Sequence, residues 1–432
     1  MAEISRRDFL RIGGAAAALG AVGFPGLSFA AGSSKRVVVV GGGIGGATAA
    51  KYIRLADPSI EVTLIEPKTG YYTCFMSNEV IVGQRKLETL AFGYDGLKRH
   101  GVSVVHDRVS AIDPHHHRVT TAGGRQFEYD RCIVSPGVDF RWDAIEGYSP
   151  EVAKTIPYAY EAGPQTTLMR KQLEAMRDGG TVIIVPPTNP YRCPPGPYER
   201  ASEIAWYLQH NKPRSKVLIL DPKDEFEVHQ DFFAGWKRHY GYGTDKSMID
   251  WVSRGNGGHV TRVDPKTMTL TATLDTYKGD VINIIPPQKA GKIAFAADLT
   301  DDSGWCPVTE RTFESTRHAD IHVIGDSSIA TPLPKSGYSA NVEAKVCAAA
   351  VVALLNGKPT PDPTFINTCY ALITPDDGFS VAMVYRLGAD GRIQKVKGAG
   401  GLSPTDEPDE IRKEEAVYDH SWFRNITQDV FA

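Results

Sequence analysis

Arg36-Val37-Val38-Val39-Val40-Gly41-Gly42-Gly43-Ile44-Gly45-Gly46-Ala47 decides the fold. Val37 to Val40 are an unbroken β-branched run, the pattern of a strand buried on both faces. The run leads directly into Gly41-x-Gly43-x-x-Gly46 and then into small, helix-compatible residues up to Tyr52. A second strand pattern, Glu61 to Glu66, ends in an acid twenty residues beyond Gly46. The three glycines serve different ends, which are the tight turn, close approach of backbone to a pyrophosphate, and close helix–strand packing. The helix N-terminus supplies free N–H groups to the phosphates, and Glu66 accepts from a ribose. Strand, glycines, helix, second strand and terminal acid in this order predict a dinucleotide site.

Residues 1–30 read as a twin-arginine export signal rather than as fold. Arg6-Arg7 precedes a Gly/Ala-rich apolar segment and then Ser28-Phe29-Ala30, a small-x-small cleavage pattern. Its glycines and Pro25 make a poor membrane anchor, so a cleaved, periplasmic protein without stable membrane insertion is expected. The chain has 432 residues, room for two to three domains, and a net charge of -3 that offers no field for nucleic acid. Its six cysteines (Cys74, Cys132, Cys193, Cys306, Cys347, Cys369) include no CxxC pair, so zinc-ribbon and thioredoxin spacings are absent. There is no CxxCH, so no c-type haem attaches to this chain. The run His115-His116-His117 follows Asp113-Pro114 between strand patterns and reads as a solvated hairpin turn, not a metal site.

Beyond Glu66 lies an aromatic-rich loop, Tyr71 to Phe75, and a short helix is expected from Ser77. Residues 129–137 form a strand ending in Pro136-Gly137. A second α/β unit opens with a strand at 180–185, followed by another at 216–221. Its first turn, Pro186 to Pro197, carries prolines where a nicotinamide site needs glycines; prolines remove N–H donors and cannot cradle a pyrophosphate. The chain re-enters the first unit at 316–326, a strand ending in Gly325-Asp326, with Asp326 placed to bind a ribityl hydroxyl. Gly337 and Tyr338 then lead into a long helix, Ala340 to Leu355, whose N-terminus favours negative charge on a cofactor edge by about 1 kcal/mol. The composition changes at Pro359, and no amphipathic terminal helix with a wide apolar face is expected in the tail. The reading is α/β: a dinucleotide-binding domain at 33–146 and 288–358, a second Rossmann-like domain at 147–287, and a smaller C-terminal α+β interface domain at 359–432.

The glycine motif, Glu66, Pro136-Gly137 and Gly325-Asp326 together resemble the glutathione-reductase-like flavoproteins. Within them, Tyr71-Tyr72-Thr73-Cys74, Arg192-Cys193-Pro194-Pro195-Gly196-Pro197-Tyr198-Glu199-Arg200 and Asn367-Thr368-Cys369-Tyr370 resemble the flavoprotein subunit of flavocytochrome c sulfide dehydrogenase. The resemblance spans essentially the whole mature chain. It implies FAD held by Gly41, Gly43, Gly46, Glu66, Asp326, Gly337 and Tyr338 and bound covalently through Cys74. It implies a redox-active disulfide between Cys193 and Cys369, with Glu199 as a nearby acid. It also implies sulfide as substrate and a separate c-type cytochrome subunit as electron acceptor, which carries the haem.

The residue types suit that chemistry, because hydrosulfide is a good nucleophile toward an exposed disulfide. Other readings stand beside it. Cys193 and Cys369 would also serve as a structural staple between the second unit and the tail, and Glu199 as a first-turn acid complementing a helix dipole. A sulfide:quinone oxidoreductase shares the fold but needs a membrane-facing quinone channel. An NADH-dependent disulfide reductase is disfavoured by the missing second glycine loop, and a non-catalytic flavin electron-transfer scaffold would leave the cysteines structural.

Overall fold

The computed structural model describes residues 35–432; the expected signal segment lies outside the described residues. Strand β1 (Arg36–Val40) is buried from Val37 onward and ends at Gly41. There φ is +99°, and a side chain would run into the Ser135 carbonyl. Helix α1 (Ile44–Ala56) and strand β2 (Glu61–Ile65) complete the predicted unit. β1 lies between β2 and Arg131–Val134, parallel to both, with Val40 level with Ile65 and Val134. Val102–Val105 adds beyond β2 and Ile321–Val323 beyond Arg131–Val134, again parallel, within an eight-stranded sheet. Helices cover such a sheet, which is why its strands are unbroken apolar runs.

Helix α2 (Ser77–Val82) follows the aromatic loop. The second unit is a four-stranded parallel sheet in which β3 (Thr181–Val185) sits between Lys216–Leu220 and Val281–Ile284, with Ile249–Val252 at the edge. Each unit also carries a three-stranded antiparallel meander, at Val109–Glu128 in one and Val260–Lys278 in the other. The three histidines lie in the turn of the first meander, between Val109–Asp113 and Arg118–Thr121. Val138–Phe140 pairs antiparallel with Gln288–Ala290 where the chain passes between the units. Helix α3 (Gly196–Asn211) begins only after the proline turn that follows β3.

Helix α4 (Gly337–Leu355) has the length and hydropathy of a membrane span, yet its apolar residues belong to the core. Ala340, Ala344, Cys347, Ala348 and Val351 are buried, and the small residues let α4 lie close against α1. Cys132 and Cys306 are buried in the same core. The tail forms an antiparallel sheet of β4 (Thr364–Thr374), β5 (Asp377–Leu387) and β6 (Ile393–Leu402), capped by a 23-residue helix, α5 (Asp409–Phe431).

The tail ends in a long helix whose inward face is narrow and is interrupted by the buried Arg412, Asp419 and Thr427, short of the wide apolar face that the sequence reading excluded. Its buried positions Ala416, Phe423, Ile426 and Val430 repeat at helical spacing and face inward. Phe431 stacks on Tyr71 and Phe92, and Trp422 meets Phe75 edge-on at 4.8 Å. The apolar face is spent on the aromatic loop of the first unit.

Gly46 lies where α1 packs tightly against the end of β1, since a Cβ there would overlap the Gly41 carbonyl oxygen and press on Val39. Gly46→Ala should therefore lose about 1–3 kcal/mol in equilibrium unfolding. Gly93→Ala, where a Cβ meets nothing within 4 Å, should be nearly neutral. Equal stability of the two variants would refute this packing account.

Candidate functional site

The glycine loop sits between Glu66 and the N-terminus of α1. Glu66 Oε2 accepts from Gly42 N–H at 2.9 Å and Oε1 from Lys68 N–H at 3.0 Å. Gly43 caps α1 without a side-chain hydrogen bond, and no acid stands in the first turn, so N–H groups there have no protein partner of that kind. A Cβ on Gly43 would meet only the Tyr71 ring at 3.5 Å, an ordinary contact. Packing within the chain thus does not demand glycine at 43, whereas a pyrophosphate lying over the helix end does. Across the loop, Asp326 Oδ1 is buried with no hydrogen-bond partner, and so is Arg192 Nε. Orphaned buried polar atoms are costly and call for an outside partner. The residues present therefore fit FAD.

A cavity of about 370 Å³ opens beside the N-terminus of α4. Cys74, Cys193, Cys369, Glu199, Gly337 and Tyr338 all line it. Cys74 follows the short strand Gly70–Tyr72, within the aromatic loop. Cys193 is held in a left-handed conformation at φ 55°, rare for a non-glycine residue. Its N–H donates to the Lys335 carbonyl at 2.7 Å, and its carbonyl accepts from Tyr160 Oη at 2.7 Å. Gly196 admits the sulfur, because a Cβ there would stand 3.1 Å from Cys193 Sγ. Lys335 Nζ in turn donates to the carbonyls of Asp326 and Ser328 at 2.7 and 2.8 Å.

Cys369 reaches the cavity from β4. Ser336 caps α4 by accepting from Ser339 N–H, and both hydroxyls donate to Asn367 Oδ1 at 2.7 and 3.1 Å. Asn367 Nδ2 points at Cys369 Sγ, 3.6 Å away. All six cysteines are free in this structure, so Cys193 and Cys369 stand here as two thiols, the Cys369 sulfur turned to the Asn367 amide. Burial raises the Cys193 thiol well above its ordinary range and Cys369 to about 11. Arg192 opposes the same rise at Cys74 and at Asp326.

Glu199 sits in the first turn of α3, where Oε1 accepts from Leu372 N–H at 3.1 Å and Oε2 from Asn78 Nδ2 at 3.0 Å. The other end of the Asn78 amide accepts from Arg200 Nε at 3.0 Å. Arg200 also binds Asn283 Oδ1 and the Ala159 carbonyl at 2.7 and 2.6 Å. Burial, then the negative charge of Asp419, raises Glu199 to about 8. Buried acids at Glu203 and Asp419 line the same cavity. Sequence reasoning missed Asn78, Glu203 and Asp419, which belong to no motif and become recognisable only when helices from distant segments meet; Asn367 stands in the Cys369 stretch, but its role there was not read.

Fold and site together define a two-unit flavoprotein of the pyridine nucleotide-disulphide oxidoreductase type, the family description that residues 35–174 match. Residues 166–286 match the sulfide dehydrogenase [flavocytochrome c] flavoprotein chain, central region, and residues 361–431 the flavocytochrome c sulphide dehydrogenase flavin-binding region. The sulfide-quinone reductase of Aquifex aeolicus is 32% identical, over 81% of this chain and 84% of that protein. A 47-residue stretch is 68% identical to the flavocytochrome c sulfide dehydrogenase flavoprotein chain of Chlorobaculum thiosulfatiphilum, covering 11% of this chain and 98% of that sequence. The chain spans 65% of the mitochondrial sulfide:quinone oxidoreductase of Dictyostelium discoideum, at 22% identity over 68% of its own length. The solved sulfide:quinone oxidoreductase of Aquifex aeolicus shares the fold at a TM-score of 0.69 and 18% identity, covering 91% of this chain and 92% of that one. The chain belongs to the family of sulfide-oxidising flavoproteins that includes the flavoprotein chain of flavocytochrome c sulfide dehydrogenase. Residues 3–23 match the twin-arginine translocation signal, so the protein is exported to the periplasm.

The raised affinity of Glu199 has a sign that stability reveals. A carboxyl that binds its proton more tightly when folded stabilises fully below its unfolded value of 4.5 and loses that contribution as pH rises through about 8. Glu199→Gln should therefore gain in melting temperature relative to the native protein as pH is raised across that window. A difference in melting temperature that does not change with pH would remove the claim.

Proposed function

We propose that the protein oxidises hydrosulfide to a polysulfur product at Cys193 and Cys369 and delivers the electrons to a c-type cytochrome. The observation that carries this reading is the convergence of Cys74, Cys193, Cys369 and Glu199 on one cavity beside the N-terminus of α4. FAD would be held by Gly41, Gly43, Gly46, Glu66, Asp326, Gly337 and Tyr338, with Cys74 as its covalent attachment. When bound, it supplies the two-electron acceptor that restores the disulfide and hands electrons singly to an outside carrier.

In the oxidised protein Cys193 and Cys369 are joined. Hydrosulfide attacks one sulfur, the S–S bond breaks, and one cysteine becomes a persulfide while the other leaves as thiolate. A second hydrosulfide takes the outer sulfur away as hydrodisulfide. The α4 N-terminus and Arg192 favour the negative charges that arise here. Glu199, fixed by Asn78 and Leu372, receives the proton released when the pair re-forms its bond. Since the chain itself has no CxxCH, the single-electron carrier is a separate protein. A second reading, quinone as acceptor, is favoured by the extent of the Aquifex aeolicus relationship.

Anaerobic sulfide should bleach the flavin, and reoxidation by cytochrome c should outpace reoxidation by short-chain quinone. Faster quinone reduction would transfer the proposal to the second reading. Cys193→Ser and Cys369→Ser should keep bound FAD and lose bleaching, whereas Cys306→Ser, in the core, should bleach normally; loss of folding in both active-site variants would support the staple instead.

An exported protein cannot regain a lost cofactor outside the cytoplasm, which makes a covalent bond at Cys74 useful. Acid-precipitated protein should stay yellow, with the flavin mass on the peptide containing Cys74. Cys74→Ser should give a colourless pellet and a yellow native protein. A colourless pellet from the unaltered protein would overturn the assignment.

A further inference from the structure

Four carboxylates meet behind the cysteine cavity from three helices. Glu199 and Glu203 come from α3, Glu79 from α2 and Asp419 from α5. Glu199 and Glu203 stand one turn apart on the same face of α3 and, with Asp419, line the cavity wall. Glu203 Oε2 is buried without a hydrogen-bond partner. The neighbouring cations are already engaged: Arg200 by Asn78, Asn283 and the Ala159 carbonyl, and Arg85 by Glu79 at 2.5 Å. Acids outnumber the positive charges available, so some of them hold protons.

The cluster also reaches the surface. Glu79, its side chain 5% exposed, accepts from His420 Nε2 at 2.5 Å, and the His420 side chain is 34% exposed. His420 Nδ1 lies 3.0 Å from the Ala416 carbonyl, which fixes the ring across the gap between α2 and α5.

We propose that Glu199, Glu203, Asp419, Glu79 and His420 form the proton exit of the cysteine cavity. This rests on the sulfide reading above. Two hydrosulfides become one hydrodisulfide, one proton and two electrons; the electrons leave through the flavin to a one-electron haem carrier, and the proton is set free beside Glu199. It passes to Glu203 and Asp419, then to the Glu79–His420 pair, and from His420 to water. Burial, then neighbouring acids, raises Glu199 to about 8 and Glu203 well above the ordinary carboxylate range, and burial raises Asp419 to about 7, so these acids can hold the proton in transit. The hydrogen bond it donates to Glu79 raises His420, which keeps a proton ready at the mouth. The other charged and thiol groups facing the cluster are Arg85, Arg200, Cys193 and Cys369.

The test uses mature, FAD-loaded protein mixed anaerobically with sulfide in a stopped-flow instrument containing a pH-indicator dye. In the native protein the bulk proton signal should keep pace with flavin bleaching. In His420→Gln and Glu203→Gln the first bleaching should persist while proton release lags by roughly tenfold or more. Added imidazole should restore release in His420→Gln but not in Glu203→Gln, a split that a merely structural role would not produce. Release that keeps pace in both folded variants overturns the exit and leaves the sulfide reading standing; a native protein that sulfide does not bleach overturns both. Independently of any variant, infrared difference spectra of the native protein should show a protonated-carboxyl stretch that changes on reduction by sulfide. An unchanged carboxyl region also overturns the exit.

Discussion

One backbone hydrogen bond, from Cys193 N–H to the Lys335 carbonyl, joins parts of the molecule that are far apart in sequence. On one side is the turn leaving the second sheet; on the other is the segment entering α4 from the first. Lys335 extends the tie through its amine to the Asp326 and Ser328 carbonyls, and Ser336, the next residue, caps α4 and engages Asn367 on β4. Asp326, the α4 cap, Cys193 and, through Asn367, Cys369 are thus all tied to the pair Lys335-Ser336. A displacement of this loop would move all of them together, so the site is held as a unit and not residue by residue.

Charge is managed with equal economy. The Asn78 side chain presents its N–H group to Glu199 and its oxygen to Arg200, so adjacent residues of α3 with opposite charges are kept apart by one neutral amide. A direct Glu199–Arg200 pair would hold the acid ionised; the amide between them leaves burial to govern its proton. The cost is a cavity wall with few compensating cations, tolerable because protonated acids are neutral.

Much of the fold is legible from local pattern. The valine run, the glycine spacing and Glu66 define β1, α1 and β2, because a buried parallel strand and a phosphate-binding turn each impose a strong local requirement. The long helix after Lys335 and the strands of the second unit are readable for the same reason. Helix α5 is not, because its first turns carry Glu410, Lys413 and Glu414 and its apolar residues come in widely spaced pairs. In the site, Cys193, Cys369 and Glu199 stand in motif-like stretches, whereas Glu203 and Asp419 look like ordinary surface acids. Their burial is decided by the meeting of α3 and α5, which no local window contains. Asn367 does share a local window with Cys369, and only its contacts with Ser336 and Ser339 depend on β4 meeting α4.

The proline turn after β3 has a consequence for what this edge of the sheet can hold. Pro186, Pro187, Pro190, Pro194, Pro195 and Pro197 remove six backbone donors from the place where a second dinucleotide would sit in this fold. The second sheet instead serves as the wall from which Cys193 projects. A turn of this kind presents few N–H groups to a phosphate, and the cavity beside it is lined with cysteines instead.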